Sequence, residues 1–119
     1  MLRKNYIDIL IGLIATFAIS SAAASPIAND DQALTSENKP VRIPVLENDK
    51  DADQVTEVTR PNKGEARIIG KDVRYNPRGA DDFLVTGHSR LDSFTYTVTN
   101  NSGETDVAVV TVTITGTDD

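Results

Sequence analysis

Asp92-Ser93-Phe94-Thr95-Tyr96-Thr97-Val98-Thr99, then Asn100-Asn101-Ser102-Gly103-Glu104, then Thr105 to Thr115, is the stretch on which the fold turns. In its first arm Phe94, Tyr96 and Val98 share one face and Thr95, Thr97 and Thr99 the other. In its second arm Ala108, Val110, Val112 and Ile114 lie opposite Thr111 and Thr113. A period of two in β-branched and aromatic residues predicts two strands. The Asn-Asn-Ser-Gly link between them tolerates positive φ, which predicts an antiparallel hairpin. A hairpin with one apolar face must be covered by a second layer, and the preceding chain supplies it.

Upstream, the signals are those of short strands and turns. Ala66-Arg67-Ile68-Ile69 and Asp72-Val73-Arg74-Tyr75 flank Gly70-Lys71 and predict a tight hairpin. Val55 to Thr59 reads as a short strand stopped by Pro61-Asn62-Lys63-Gly64. Val41 to Val45 alternates, and Pro44 places it at an edge or a bulge. Gln32 to Lys39 is mixed and weakly patterned, and Ala80 to Leu91 is a longer connection with one helical turn expected around Asp81 to Val85. No stretch holds a helical apolar period for three turns. Six or seven short strands punctuated by Pro and Gly predict an all-β sandwich, with Phe94, Tyr96, Tyr75 and Phe83 in its core.

The amino terminus is set apart. Met1-Leu2-Arg3-Lys4 is basic, Ile9 to Ile19 is an uncharged apolar run of 11 residues, and Ser20 to Ala24 is a small-residue exit. That is the layout of a cleavable signal peptide over residues 1–24. The run falls short of the roughly 20 residues a membrane-spanning helix needs. Cleavage leaves an acidic lead-in linker, residues 25–31, and one domain, residues 32–119, and moves the net charge from −6 to −7. The length permits a single core. Without cysteine there is no disulfide and no thiolate metal site, and a small exported domain then favours a metal staple. The acidic balance argues against nucleic acid and anionic membranes and in favour of cations.

Asn48-Asp49-Lys50-Asp51-Ala52-Asp53 sets carboxylates at alternate positions, as a loop does when it wraps oxygens around a hard cation. It is not an EF-hand, because Gln54 stands where the loop requires glycine and Arg60 where it requires a bidentate glutamate. Its plain alternative is a solvated acidic turn. Asp81-Asp82 reads as helix amino-terminal charge. His88, the one histidine, reads as a surface residue, and no serine near it forms a nucleophile elbow, so no catalytic residue is expected. The Thr-rich outer face of the last strand reads as solvent-facing sheet or as an edge for β-augmentation.

Val41 to Asp53, "VRIPVLENDKDAD", and Arg74 to Asp119, "RYNPRGADDFLVTGHSRLDSFTYTVTNNSGETDVAVVTVTITGTDD", resemble in order the opening and closing halves of the VCBS-type, cadherin-like and Ig-like tandem repeats of bacterial surface adhesins. The sequence departs from that pattern after Asp53, where Gln54-Val55 replaces a glycine and a further aspartate, and at Asn100 and Gly87-His88. The resemblance implies a Greek-key Ig/cadherin-like β-sandwich of about seven short strands, strung in tandem, with calcium in the acidic loops and at repeat junctions. On that basis Asp49, Asp51 and Asp53, with Asn48 and the lead-in residues Asn29, Asp30 and Asp31, are expected to line a calcium site at one pole. Asp92, at the start of a strand, is expected to join them. Ala28-Asn29-Asp30-Asp31 is similar to Gly116-Thr117-Asp118-Asp119, so the chain reads as a free-standing copy or as the first piece of an array.

The expected function is a non-enzymatic, calcium-stiffened structural or adhesion module, exported to the periplasm, cell surface or medium. Its expected partners are neighbouring repeats or cell-surface and matrix ligands, the domain itself being a monomer. The alternative is a small secreted carbohydrate-binding protein, which requires exposed aromatics on one sheet face.

Overall fold

The computed structural model describes residues 24–78 and 86–117. The expectations of a signal peptide over 1–24, of which Ala24 alone is described, of a helical turn at 81–85, of Phe83 in the core and of helix amino-terminal charge at Asp81-Asp82 lie outside the described residues, as do Asp118 and Asp119 of the repeat-like exit. Among the described residues there are seven strands: β1 (Asp31–Ser36), β2 (Val41–Ile43), β3 (Gln54–Val58), β4 (Glu65–Ile69), β5 (Asp72–Asn76), β6 (Ser89–Thr99) and β7 (Thr105–Thr115). They form a four-stranded sheet in the order β1-β7-β6-β3 and a three-stranded sheet in the order β2-β5-β4. The chain is an all-β, Ig-like sandwich.

The β6–β7 hairpin is the spine of the larger sheet. Its register runs unbroken from Thr99↔Thr105 to Ser89↔Thr115. Gly103 closes the turn at φ 84, a value only glycine adopts cheaply. Phe94, Tyr96, Val98, Ala108, Val110, Val112 and Ile114 are all buried, while Thr111 and Thr113 lie on the outer face. The smaller sheet supplies Ile43, Val73 and Tyr75 from its inner face, and the Tyr75 ring lies parallel to Phe94 with centroids 6.2 Å apart. Alternation in a strand is a local property of the pleat, so both faces follow from the residues themselves.

Pro44 ends β2, an edge strand, where its missing N–H leaves no ladder bond unmade. The β4–β5 hairpin turns through Gly70 at φ 61. Two elements differ from expectation. Residues 31–36 form β1, which pairs parallel to β7 with Asp31 opposite Val110 and Ser36 opposite Thr115. β1 is an edge strand that buries only Thr35 fully, so its alternation is faint. A single 3₁₀ turn, Val45–Asn48, opens the acidic loop and seats Val45 in the core.

Candidate functional site

Two clusters of polar side chains are built into the sandwich, and both depend on tyrosines of the core. The first gathers at the pole where the lead-in segment meets the acidic loop. Ile27 and Lys50 exchange backbone hydrogen bonds, each 2.9 Å. The Asn29 N–H donates to Asp49 Oδ1 (2.8 Å) and its amide to the Asn48 carbonyl (2.7 Å). The Asn48 amide donates in return to the Asp30 carbonyl at 3.1 Å. Asp30 Oδ1 accepts the Val109 N–H (2.9 Å), and Asp106 accepts the Ala28 N–H (2.8 Å).

The centre of this cluster is the Tyr96 hydroxyl. Four oxygens crowd it: the Asn29 carbonyl at 2.9 Å, the Val45 carbonyl at 3.3 Å, and Asp49 Oδ1 and Oδ2 at 3.1 and 2.9 Å. A phenol has one proton to give and the Asn29 N–H serves Asp49 Oδ1, so the oxygens here outnumber their donors. Asp31 sits beside them, and its buried Oδ2 has no hydrogen-bond partner. Burial pushes the Asp31 carboxyl above the ordinary value; Tyr96 and Asn48 offset part of this, and the charges of Asp49 and Asp30 add to it. Burial, with the neighbouring Asp31 and Asp49, pushes the Tyr96 phenol far up, so it stays protonated. The backbone N–H groups of Ala28 and Val107 draw the half-buried Asp106 below its ordinary value.

The structure therefore brings together Asn29, Asp30, Asp31, Asn48 and Asp49. Asp51 is exposed on the loop at φ 54, and Asp53 accepts the Asn101 N–H at 3.1 Å, where it secures the β6–β7 turn. Asp92 is not at this pole. It lies four residues before Tyr96 on β6, about 13 Å away along the strand at about 3.3 Å per residue.

Asp92 makes the second cluster. It is 3% exposed, and its carboxylate accepts five hydrogen bonds. Oδ1 takes the N–H groups of Asn62 and Ser93, both at 2.9 Å; Oδ2 takes those of Lys63 and Gly64, both at 3.0 Å, and the Tyr75 hydroxyl at 2.6 Å. Burial opposes its ionisation, but bonds from Tyr75, Gly64, Lys63 and Ser93 outweigh it and hold the carboxyl below its ordinary value. No lone pair is left for a cation. Asp92 instead ties the β3–β4 turn to the core. The turn comes in so closely that a Cβ on Gly64 would press on the Asn76 carbonyl and stand 2.7 Å from the Tyr75 hydroxyl.

Among the described residues no three His, Cys, Asp or Glu side chains converge where one ion could be held. Of the eight expected ligands, Asn29, Asp30, Asp31, Asn48 and Asp49 lie together, and Asp51, Asp53 and Asp92 lie apart from them. The oxygens that do gather are the Asp49 carboxylate and the Asn29 and Val45 carbonyls around the Tyr96 hydroxyl, with the Asp31 carboxyl beside them. Sequence reading missed three participants. Tyr96 passed as core, and Asp106 as strand surface. Glu37 follows β1 as a turn residue, yet it is fully buried and its Oε1 accepts the Thr117 N–H and hydroxyl, both at 3.1 Å. Nothing local distinguishes it, because its partner lies 80 residues away. His88 is exposed, and its carbonyl accepts the Gly116 N–H.

A two-sheet sandwich with a parallel first strand, fastened at its lead-in pole by carboxylates, defines a protein of immunoglobulin type. The bacterial Ig domain family model matches residues 23–113, and the chain belongs to that family. No curated protein matches it. Among solved structures, the 2,6-sialyltransferase of Vibrionaceae Photobacterium sp. JT-ISH-224 is similar over 76% of this chain at 12% identity and a TM-score of 0.43. This chain spans 18% of that protein's length, and so loose a likeness carries no inference about activity.

Proposed function

We propose that this bacterial Ig domain is a non-enzymatic structural module of an exported surface or secreted protein, of the VCBS and cadherin-like kind, working in series with neighbouring repeats or against cell-surface and matrix ligands. The observation that supports this most is the way the lead-in is fastened. Ile27, Ala28, Asn29 and Asp30 each bond to the sandwich, so a chain arriving at residue 27 meets the domain in one orientation. A spacer that transmits force or sets the angle between units needs such a joint. Calcium held by Asp31 and Asp49 with the Asn29 and Val45 carbonyls stiffens it, by supplying charge to oxygens that now share one phenol proton.

The sugar-stacking alternative lacks support among the described residues, whose three aromatics, Tyr75, Phe94 and Tyr96, are all buried. Among those residues no helix is long and apolar enough to cross a membrane. The test is to express the full chain with a carboxy-terminal tag in a bacterial host, fractionate the cells and sequence the amino terminus. The expected product begins at Ser25 and lies outside the cytoplasm. An uncleaved chain retained in the cytoplasm overturns the reading.

A further inference from the structure

The outer face of the smaller sheet carries a second feature, independent of the lead-in pole. In the β2–β5 ladder Arg42 stands directly opposite Arg74, and in the β4–β5 ladder Arg67 stands directly opposite Arg74. Their ladder neighbours Val41, Ile43, Val73, Tyr75, Ala66 and Ile68 point to the core. All three arginines therefore project outward in a single row across three strands. Strands lie about 4.8 Å apart, so the row is about 10 Å long. Like charges placed directly opposite each other weaken a sheet, so this row does nothing for the fold. Arg42 is satisfied by Asp72 (Nε to Oδ2, 2.7 Å), and Arg78, beyond β5, by Glu65 (2.8 Å). Arg67 and Arg74 make no ion pair among the described residues. In a chain of net charge −6 this face holds an uncompensated positive strip.

We infer that the Arg42–Arg74–Arg67 row is a docking strip for a linear carboxylate-bearing polysaccharide, an inference that rests on the reading of the chain as an exported module. Guanidinium forks match carboxylates in bidentate geometry, and a straight row suits an extended polymer with regularly spaced charges. The flanking outward residues are Asn76, Ile69 and two carboxylates, Asp72 and Glu65, which are held by Arg42 and Arg78 and so leave Arg67 and Arg74 uncompensated. A protein interface is centred on a cluster of aromatic or aliphatic anchors, and beside this row stands Ile69 alone, which favours a hydrophilic polyanion over a protein partner. The strip binds by charge and hydrogen bonding rather than ring stacking, since the aromatics among the described residues, Tyr75, Phe94 and Tyr96, are buried.

The test is retention of the purified protein on immobilised polygalacturonate at about 10 mM salt, where the Debye length is about 30 Å. Fully methyl-esterified polymer serves as the neutral control. Arg67→Ser/Arg74→Ser is compared with Lys39→Ser/Lys50→Ser, which removes equal charge elsewhere, and circular dichroism and melting confirm that both fold. The strip predicts binding to the acid polymer alone and release by salt. It also predicts a loss of at least about tenfold in affinity in the arginine variant, with the lysine variant unchanged. Equal binding by wild type and the arginine variant overturns the inference, as does no binding by an exported, folded protein. Salt-sensitive self-association that the arginine variant abolishes, without polymer binding, overturns it in favour of a contact between copies. Failure here leaves the fractionation result untouched, so the two readings fall separately.

Discussion

The Tyr75 hydroxyl donates to Asp92 Oδ2 at 2.6 Å, and this bond joins the two sheets, Tyr75 standing on β5 and Asp92 on β6. The same carboxylate holds the N–H groups of Asn62, Lys63 and Gly64, so one buried side chain clamps both layers and the turn between β3 and β4. Asp92→Ala strands a phenol and four backbone donors, the N–H groups of Asn62, Lys63, Gly64 and Ser93. It is expected to cost about 3–5 kcal/mol, whereas Tyr75→Phe, which removes one donor and leaves a charged acceptor well supplied, should cost about 1–3 kcal/mol. Urea denaturation of both variants measures the difference. A loss under about 1 kcal/mol for Asp92→Ala would contradict the clamp.

The two aspartates with perturbed carboxyls in the core region respond to pH in opposite senses. Asp92 titrates below its ordinary value of 3.8, so its contribution is complete above that value and is lost as pH falls through the lower folded one. Asp31 titrates above 3.8, so the fold prefers its neutral form, and stability is lost as pH rises from 3.8 through the raised value. Asp31→Asn is therefore expected to raise the melting temperature at pH 7 and to change it little near pH 3. Melting curves at the two pH values check this, and destabilisation by Asp31→Asn at pH 7 in chelator would count against it.

Phe94 is 3% exposed and stacked on Tyr75, while Thr111 and Thr113 face outward from β7. Phe94→Ala should cost about 3–5 kcal/mol through lost burial and a residual cavity. Thr111→Ala and Thr113→Ala should each stay within about 0.5 kcal/mol. Denaturant midpoints at constant slope give the comparison directly.

Calcium at the lead-in pole should stabilise the fold through the carboxylates of Asp31 and Asp49 with the Asn29 and Val45 carbonyls, and not through Asp51 or Asp53. Extracellular modules bind it at about 10⁻⁴–10⁻³ M, and a 100-fold excess over the dissociation constant adds about 2.7 kcal/mol. Millimolar calcium should raise the melting temperature of wild type, EDTA should reverse the rise, and Asp49→Asn should abolish it. Asp51→Asn and Asp53→Asn should keep it, since those side chains lie elsewhere. An unchanged melting temperature in wild type removes the metal from the proposal.

The amino-acid sequence alone determined what depends on neighbours along the chain. The alternation in β6 and β7, Gly70 and Gly103 at positive φ, Pro44 at the end of an edge strand and the apolar identity of Phe94, Tyr96, Val110 and Val112 are local, and together they are enough for an Ig-like sandwich. Tertiary structure decided what depends on partners distant in sequence. Asp92 reads in the sequence as a further ligand of the acidic pole, whereas the turn at 62–64, 28 to 30 residues earlier, supplies its carboxylate with backbone donors. β1 shows little alternation because an edge strand owes its place to β7, 79 positions downstream at the Asp31↔Val110 pair. The acidic loop reads as one ligand set, but folding sends Asp49 to Tyr96, Asp53 to Asn101 and Asp51 to solvent. The arginine row exists only through register, since Arg42, Arg67 and Arg74 are unremarkable until pairing sets them side by side. Residue type states what a side chain can do; which partner it meets is a property of strand pairing, and no short stretch of sequence contains that.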